Sequence, residues 1–285
     1  GGVLVVAGDD HGCVSSSMPH QSDVAFMSFF MPTINPANIA EYLEFGLWGI
    51  ALSRYSGCWV GFKAVSETVE SAASVELPPL PDFVTPDDFT PPVTGLHYRW
   101  PDLPGPQLET RIEHKLAAVQ AFARANPIDR CLFNNAEARF GIVTTGKGHL
   151  DLLEALDLLG IDEDRAREMG LDIYKVGLVW PIERRGILNF VHNKEEVLVI
   201  EEKRGIIESQ IKEAMSEPDH PGEVLITGKQ DELGRPLIPY VGELSPKLVA
   251  GFLAARLGRF FGEDYNERLM AINSMSNAQD PGGVK

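Results

Sequence analysis

Short apolar runs set off by polar turns alternate with segments of helical period along most of this sequence, which predicts alternating strands and helices. Val3 to Ala7 reads as a buried strand that enters a dense polar loop, DDHGCVSSSMPHQSD. VAFMSFFMPTI follows and is extended at its end; Asn35-Pro36 then has the form of an N-cap with proline in the first helical turn. Ile39, Leu43, Leu47 and Ile50 are spaced as one buried stripe of that helix, which Ser56-Gly57 stops before the β-rich run CWVGFKAV.

From Leu77 to Pro106 prolines crowd the chain, removing amide donors and blocking helices, so this stretch reads as an extended connector. Its aromatics Phe83, Phe89, Tyr98 and Trp100 predict that it lies against a surface. Beyond it, Ile112, Leu116, Val119 and Ala123 line one face of a helix that opens a second domain and ends at Asn126-Pro127. RFGIVTTGKGH is a strand entering a glycine turn, LDLLEALDLL a helix closed by Gly160, and DIYKVGLVWPI another strand. GILNFVHN is a short helix, EVLVIEEK a strand, GIIESQIKEAM a helix and EVLITGKQ the last strand. A late helix, SPKLVAGFLAARLGRFF, precedes a small polar tail, NSMSNAQDPGGVK, that reads as disorder or linker.

The expected fold class is therefore α/β: two three-layer α/β domains with mostly parallel sheets. Residues 1–76 form the first, 77–108 the connector, 109–228 the second, and 229–285 a C-terminal extension and linker. The net charge of −16, with no lysine/arginine block, argues against a nucleic-acid partner. No apolar run is long enough to span a bilayer. Cys13, Cys58 and Cys131 lie far apart without a Cys-x-x-Cys pair, which fits free thiols in a reducing cytoplasm.

Gly141-IVTT-Gly146-Lys147-Gly148 nearly spells a nucleotide-binding loop, but a glycine stands where a magnesium-binding hydroxyl belongs, and Ile-Val-Thr-Thr has strand composition. A tight turn at a sheet edge reads better than a nucleotide hydrolase built on Lys147. In the opening loop, Asp9, Asp10, His11 and His20 lack the i, i+4 spacing of familiar metal sites, and Ser15–Ser17 lack a nucleophile elbow. Two readings of that loop stay open: short side chains capping local backbone, or the lining of a pocket at a strand's carboxyl end. Glu201-Glu202-Lys203-Arg204 reads as a solvated charged turn, with Glu201 able to face a cleft.

LVVAGDDHGCVSSSMPHQSD, RFGIVTTGKGHLDLLEALDLLGID, VGLVWPIERRGI and EVLVIEEKRGIIESQIKEAM, in this order, resemble the 2-oxoacid:ferredoxin oxidoreductases, and among them the long single-chain indolepyruvate enzymes. The resemblance spans nearly the whole chain. It implies part of a thiamine-diphosphate enzyme that decarboxylates an aryl 2-oxoacid, passes electrons through iron–sulfur clusters to ferredoxin, and leaves the acyl group on coenzyme A. It also implies that residues 1–76 are the latter part of a pyrimidine-binding domain and 109–228 a transketolase-C-like domain.

The family's tautomer-driving glutamate, cysteine-rich segment and magnesium-holding diphosphate site have no match between residues 1 and 285. The expectation is an interior piece, inactive alone, with neither thiamine diphosphate nor Mg²⁺ tightly bound. By matching position, Asp9, Asp10, His11, Ser15, Ser16 and Ser17 are the candidates for facing the cofactor or keto acid; none is expected to be catalytic or to hold a metal. Ferredoxin, the remaining domains, a small 2-oxoacid and a second copy of the chain are the expected partners, the last through apolar surface around Phe26–Met31. A non-catalytic scaffold or subunit-contact module is the alternative.

Overall fold

A computed structural model describes residues 1–77, 79–216 and 223–279. Its elements, in chain order, are β1 (Leu4–Asp9), α1 (Asp23–Ser28), β2 (Thr33–Ile34), α2 (Ile39–Ser56), β3 (Val60–Val65), α3 (Ser66–Val69), α4 (Gln107–Ala125), β4 (Arg130–Cys131), β5 (Phe140–Thr145), α5 (Gly146–Leu159), α6 (Glu163–Met169), β6 (Leu171–Val176), β7 (Leu178–Trp180), α7 (Arg184–Val191), β8 (Glu196–Ile200), α8 (Ile206–Met215), β9 (Leu225–Thr227), α9 (Pro246–Phe261) and α10 (Asn266–Gln279). They build two sheets, ordered β1-β3-β2-β7 and β4-β6-β5-β8-β9. The pairs β1·β3, β2·β3, β5·β6, β5·β8 and β8·β9 are parallel, whereas β2·β7 and β4·β6 are antiparallel. The expected α/β class with mostly parallel sheets is what the chain adopts.

Strand periodicity divides the second sheet into two apolar faces. Phe140, Ile142, Leu198 and Ile200 point to a core closed by α5 and α9 through Leu152, Leu156, Leu253 and Leu257. Val143, Val197 and Val199 point the other way, to α7 and α8 through Ile187, Val191, Ile207 and Ile211. The first sheet packs Ile34, Val60 and Phe62 beneath α2, whose large buried apolar side chains are Phe45, Trp48 and Leu52.

Several local readings change. The stripe expected on α2 faces outward in part, Leu43 and Leu47 being 45% and 44% exposed. Apolar residues surround this helix, and the larger aromatics take the buried side; Trp48 also donates its indole N–H to the Asn126 carbonyl at 2.7 Å. The helix begins three residues later than expected, because the Asn35 amide continues the sheet by donating to the Gly177 carbonyl at 3.0 Å. Asn38 then caps it, accepting from the Glu41 amide at 3.1 Å, while the Glu41 carboxylate accepts from the Ala37 amide at 2.7 Å.

DIYKVGLVWPI, one run in the sequence, is two strands in two sheets. Asp129 accepts from the Gly177 and Leu178 amides at 2.7 and 3.1 Å, diverting both donors from the β6 ladder. Gly177 lets the chain cross, since a Cβ there would stand 2.9 Å from the Phe45 ring and 3.0 Å from the Ile128 carbonyl oxygen. Finally, the region read as disordered tail contributes the end of α10 as far as Gln279; its last residues, 280–285, lie outside the described residues.

The connector is tied down. Phe83 packs 6.0 Å from the Phe122 ring, Asn126 exchanges two hydrogen bonds with the Val84 backbone, and the Arg111 guanidinium pairs with Asp102. Tyr98 and Trp100 stay exposed. Helix α4 does not open the second core: Val119, Phe122 and Ala123 join the cluster under α2.

Candidate functional site

The carboxyl ends of the strands in both sheets converge on one narrow cleft, which His11, Asp23, Asn35 and Lys63 line from the first sheet and Thr145, Lys147, Glu201 and Glu202 from the second. It holds about 20 Å³, room for about one water. Its first rim is built around a lysine. Lys63 stands in an apolar run on the central strand β3 and is 3% exposed. Its ammonium lies 2.7 Å from Asp23 and 3.4 Å from Asp9. Burial opposes the charge, but these two carboxylates hold the lysine above its ordinary range.

Asp9 also accepts from the Ser22 amide at 3.1 Å and lies 3.3 Å from the His20 ring, fastening both ends of the opening loop. Asp10 turns inward to the loop itself. Its carboxylate accepts from the amides of Val14, Ser15 and Ser16, each at 2.8 Å. These bonds, that of Ser15 above all, hold it well below the usual carboxylate range although desolvation works against them. His11 is buried, with Nδ1 3.1 Å from the His20 carbonyl oxygen. Burial, helped by the nearby Lys63 charge, pulls it down to about 4, so the imidazole is neutral at pH 7.

Of the six residues singled out by position, then, His11 lines the cleft, Asp9 supports its lysine, and Asp10 is consumed as a cap. Ser15, Ser16 and Ser17 are exposed on the outside of the loop. Sequence reasoning missed Asp23, Asn35 and Lys63. The available signal was Lys63 itself: a lysine inside CWVGFKAV, on a strand with neighbours on both sides, demands a buried partner.

The second rim is chemically closed. Glu201, expected on a solvated turn, is 4% exposed and accepts from the Ile206, Ile207 and Glu208 amides, each at 3.0 Å. It thereby occupies the N-terminus of α8, and burial pushes it up to about 7. Lys147 donates to Asp151 at 2.8 Å and to the Leu244 carbonyl at 2.7 Å, and lies 3.0 Å from Glu243. Ile142–Thr144 are strand residues paired on both sides and Thr145 is paired on one, so the segment before Lys147 is ladder and not a phosphate cradle, and Lys147 itself is already engaged. Lys203 reaches across to the His11 and Gly242 carbonyls, 2.6 Å from each, and the Arg204 amide donates to the Gln21 side chain at 3.0 Å.

Two observations mark the cleft as more than a packed junction. Cys13 and Lys203, one from each side, have φ of +56° and +52°, a conformation disfavoured for a side-chain-bearing residue by about 1–2 kcal/mol. Asp23 Oδ1 and Asn35 Oδ1, on residues 1% and 6% exposed, have no hydrogen-bond partner among the described residues. Ser66 Oγ and both Glu67 carboxylate oxygens, just past β3, are also buried and find no partner among the described residues. Each such group costs about 1–3 kcal/mol unless a donor reaches it. Among the described residues no group of three or more His, Cys, Asp or Glu side chains is placed to hold a metal, and no helix is long and apolar enough to cross a membrane.

Two α/β layers meeting at their strand ends define the class of architecture. The chain is similar in fold to a 2-oxoglutarate:ferredoxin oxidoreductase from Magnetococcus marinus, solved with 2-oxoglutarate, coenzyme A and succinyl-CoA bound. The match has a TM-score of 0.58 at 13% identity and covers 90% of this chain and 49% of that one. Among curated proteins it is similar to the indolepyruvate oxidoreductase subunit IorA of Pyrococcus abyssi, 25% identical over 276 residues, covering 90% of this chain and 38% of the relative. The IorA of Methanothermobacter marburgensis is 22% identical over 218 residues, covering 74% and 32%. A family-wide profile of the indolepyruvate oxidoreductase domain matches residues 130–280, more than half the chain. This chain belongs to that family. It spans about a third of the length of the IorA relatives it matches.

Proposed function

We propose that this chain forms one wall of the reaction chamber of a thiamine-diphosphate-dependent indolepyruvate:ferredoxin oxidoreductase, the first rim of the cleft facing the cofactor. The observation that carries the reading is the pair of buried acceptors, Asp23 Oδ1 and Asn35 Oδ1, left without donors at the carboxyl ends of parallel strands. They suit the hydrogen-bond-donating ring of the cofactor. The diphosphate finds no such fit: the first amides of α8 are taken by Glu201, and Lys147 is engaged by two carboxylates and a carbonyl.

When bound, thiamine diphosphate supplies the carbon nucleophile that opens a 2-oxoacid to loss of CO₂. This chain's residues orient and insulate. Lys63 fixes the Asp23 carboxylate, the neutral His11 imidazole closes the floor without adding charge, and Lys203 locks the opening loop to the second sheet. Iron–sulfur clusters, coenzyme A, the Mg²⁺ site and the ferredoxin contact belong, in this proposal, to the parts of the enzyme outside residues 1–285. The three free thiols fit a reducing cytoplasm.

A second reading, a subunit-contact module with no catalytic duty, draws on the full use of Asp10 as a loop cap. Calorimetry separates the two. Thiamine diphosphate with Mg²⁺ should show no micromolar binding to residues 1–285 and micromolar binding to the complete enzyme. Micromolar binding to the isolated chain would overturn the division of labour, and a complete enzyme that turns over without the cofactor would favour the scaffold.

A further inference from the structure

Where the connector folds back over the first turns of α4 it encloses a polar cavity of about 240 Å³. That is below the roughly 300–1,000 Å³ in which drug-sized ligands sit, so its occupant is small. Thr94, Arg99 and Asp102 line it from the connector; Gln107, Arg111 and His114, at helical spacing, line it from α4. Its floor is a finished structure. Arg111 and Asp102 are each 5% exposed and pair through two nitrogens and both carboxylate oxygens, the second contact at 3.2 Å. The same guanidinium donates to the Gly95 carbonyl and, at 3.2 Å, to the Thr94 hydroxyl oxygen. Both Asp102 oxygens are therefore taken and its charge is balanced.

The walls are unfinished. The half-buried Arg99 guanidinium makes no hydrogen bond or ion pair among the described residues, and neither do the Gln107 and His114 side chains. Thr94 Oγ1 accepts from Arg111, which leaves its own proton free to be donated into the cavity. Arg99 is nonetheless held in place. Its carbonyl accepts from the Asp102 amide at 3.2 Å, opening the 3₁₀ turn Trp100–Asp102, and Arg111 pins the last residue of that turn. In a chain with 41 acidic residues against 25 lysines and arginines, a positioned guanidinium is left facing a cavity that has no free carboxylate.

We propose that this cavity binds a phosphate group, with Arg99 as its cation and Thr94, Gln107 and His114 as its remaining donors. Four donor groups set around one space suit the tetrahedral spread of phosphate oxygens, whereas a planar carboxylate with two oxygens leaves donors unused. The net charge of −16 repels anions in general, so binding here rests on these local donors. A phosphate held between Arg99 and α4 also fastens the connector to that helix. The cavity shares no lining residue with the cleft, so the proposal stands apart from the thiamine reading.

The probes are inorganic phosphate, phenyl phosphate and acetate, titrated calorimetrically into the full chain at fixed ionic strength. Saturable binding of a phosphate is expected, with acetate weaker by tenfold or more. The tighter of the two phosphates assigns the cavity to the free ion or to an ester, and either result supports the proposal. Arg99→Gln removes a side chain that has no partner within the described chain, so the fold is kept, and it should weaken phosphate about tenfold, the ratio for one lost charge-assisted hydrogen bond. Arg124→Gln, at an arginine outside the cavity that pairs with Asp88, makes the same change in net charge and should leave phosphate affinity unaltered. Phosphate should also raise the unfolding temperature of the native chain and not that of Arg99→Gln. The proposal is overturned if neither phosphate binds saturably, if acetate binds as tightly, or if Arg99→Gln and Arg124→Gln behave alike.

Discussion

The two rims of the cleft stand at equivalent places, each at the carboxyl ends of parallel strands, yet their polar groups end differently. On the second rim Glu201 serves three amides, Lys147 has three partners, Lys203 holds two carbonyls, and the His149 ring meets the Thr144 hydroxyl at 3.0 Å. On the first, Asp23, Asn35, Ser66 and Glu67 supply every buried side-chain nitrogen or oxygen that lacks a partner among the described residues. Charge does not distinguish the rims; saturation does. A rim whose hydrogen bonds are complete fixes the fold, and one whose acceptors are spare is where a ligand's donors belong.

The sharpest way to break the comparison is to remove the one cation that organises the open rim. Lys63→Met leaves Asp9 and Asp23 buried without their counter-ion, and urea unfolding should show a loss of about 3–5 kcal/mol. A loss below 1 kcal/mol would mean that water already neutralises the pair.

On the closed rim, Glu201→Gln should cost about 0.5–2 kcal/mol as a weakened helix cap, with cofactor affinity of the complete enzyme unchanged. The same variant sharpens the pH response. Glu201 is raised to about 7, so its native state keeps a proton that the unfolded chain releases; that contribution is full below the ordinary glutamate range and lost as pH rises through 7. His11 and His149 are both depressed to about 4 by burial, so their contribution is full above 6.5 and lost as pH falls toward 4. The two effects oppose each other in the native sequence. With Glu201 neutralised, stability should fall more steeply between pH 6.5 and 4 than in the parent, and an unaltered slope would refute the assignment.

The smallest effect is expected on the outside of the opening loop. Replacing Ser15, Ser16 and Ser17 together by alanine keeps the amides that Asp10 holds, and stability should change by about 0.5 kcal/mol or less. A larger loss would restore those hydroxyls to a working role.

The second sheet was legible because its central strands β5 and β8 carry the apolar runs FGIV and VLVI and helices such as α5 end in glycine, Gly160 having φ +71°. α2 was less so, since its apolar residues leave no polar face to orient it. The division of DIYKVGLVWPI was hidden because it depends on Asp129, more than forty residues away in sequence. The site was half legible. The density of short polar residues located the loop, but a carboxylate that caps and a carboxylate that faces a ligand read alike in one dimension. What separates Asp10 from Asp23 is whether amides happen to surround it, a property of the folded backbone.

The central claim is that the spare acceptors of the first rim are there for the cofactor's donors. Titrating thiamine diphosphate with Mg²⁺ into the complete enzyme, native and Asn35→Ala, tests it most directly. About tenfold weaker binding in the variant, with folding preserved, is the predicted result. Equal affinity in the two proteins would contradict it.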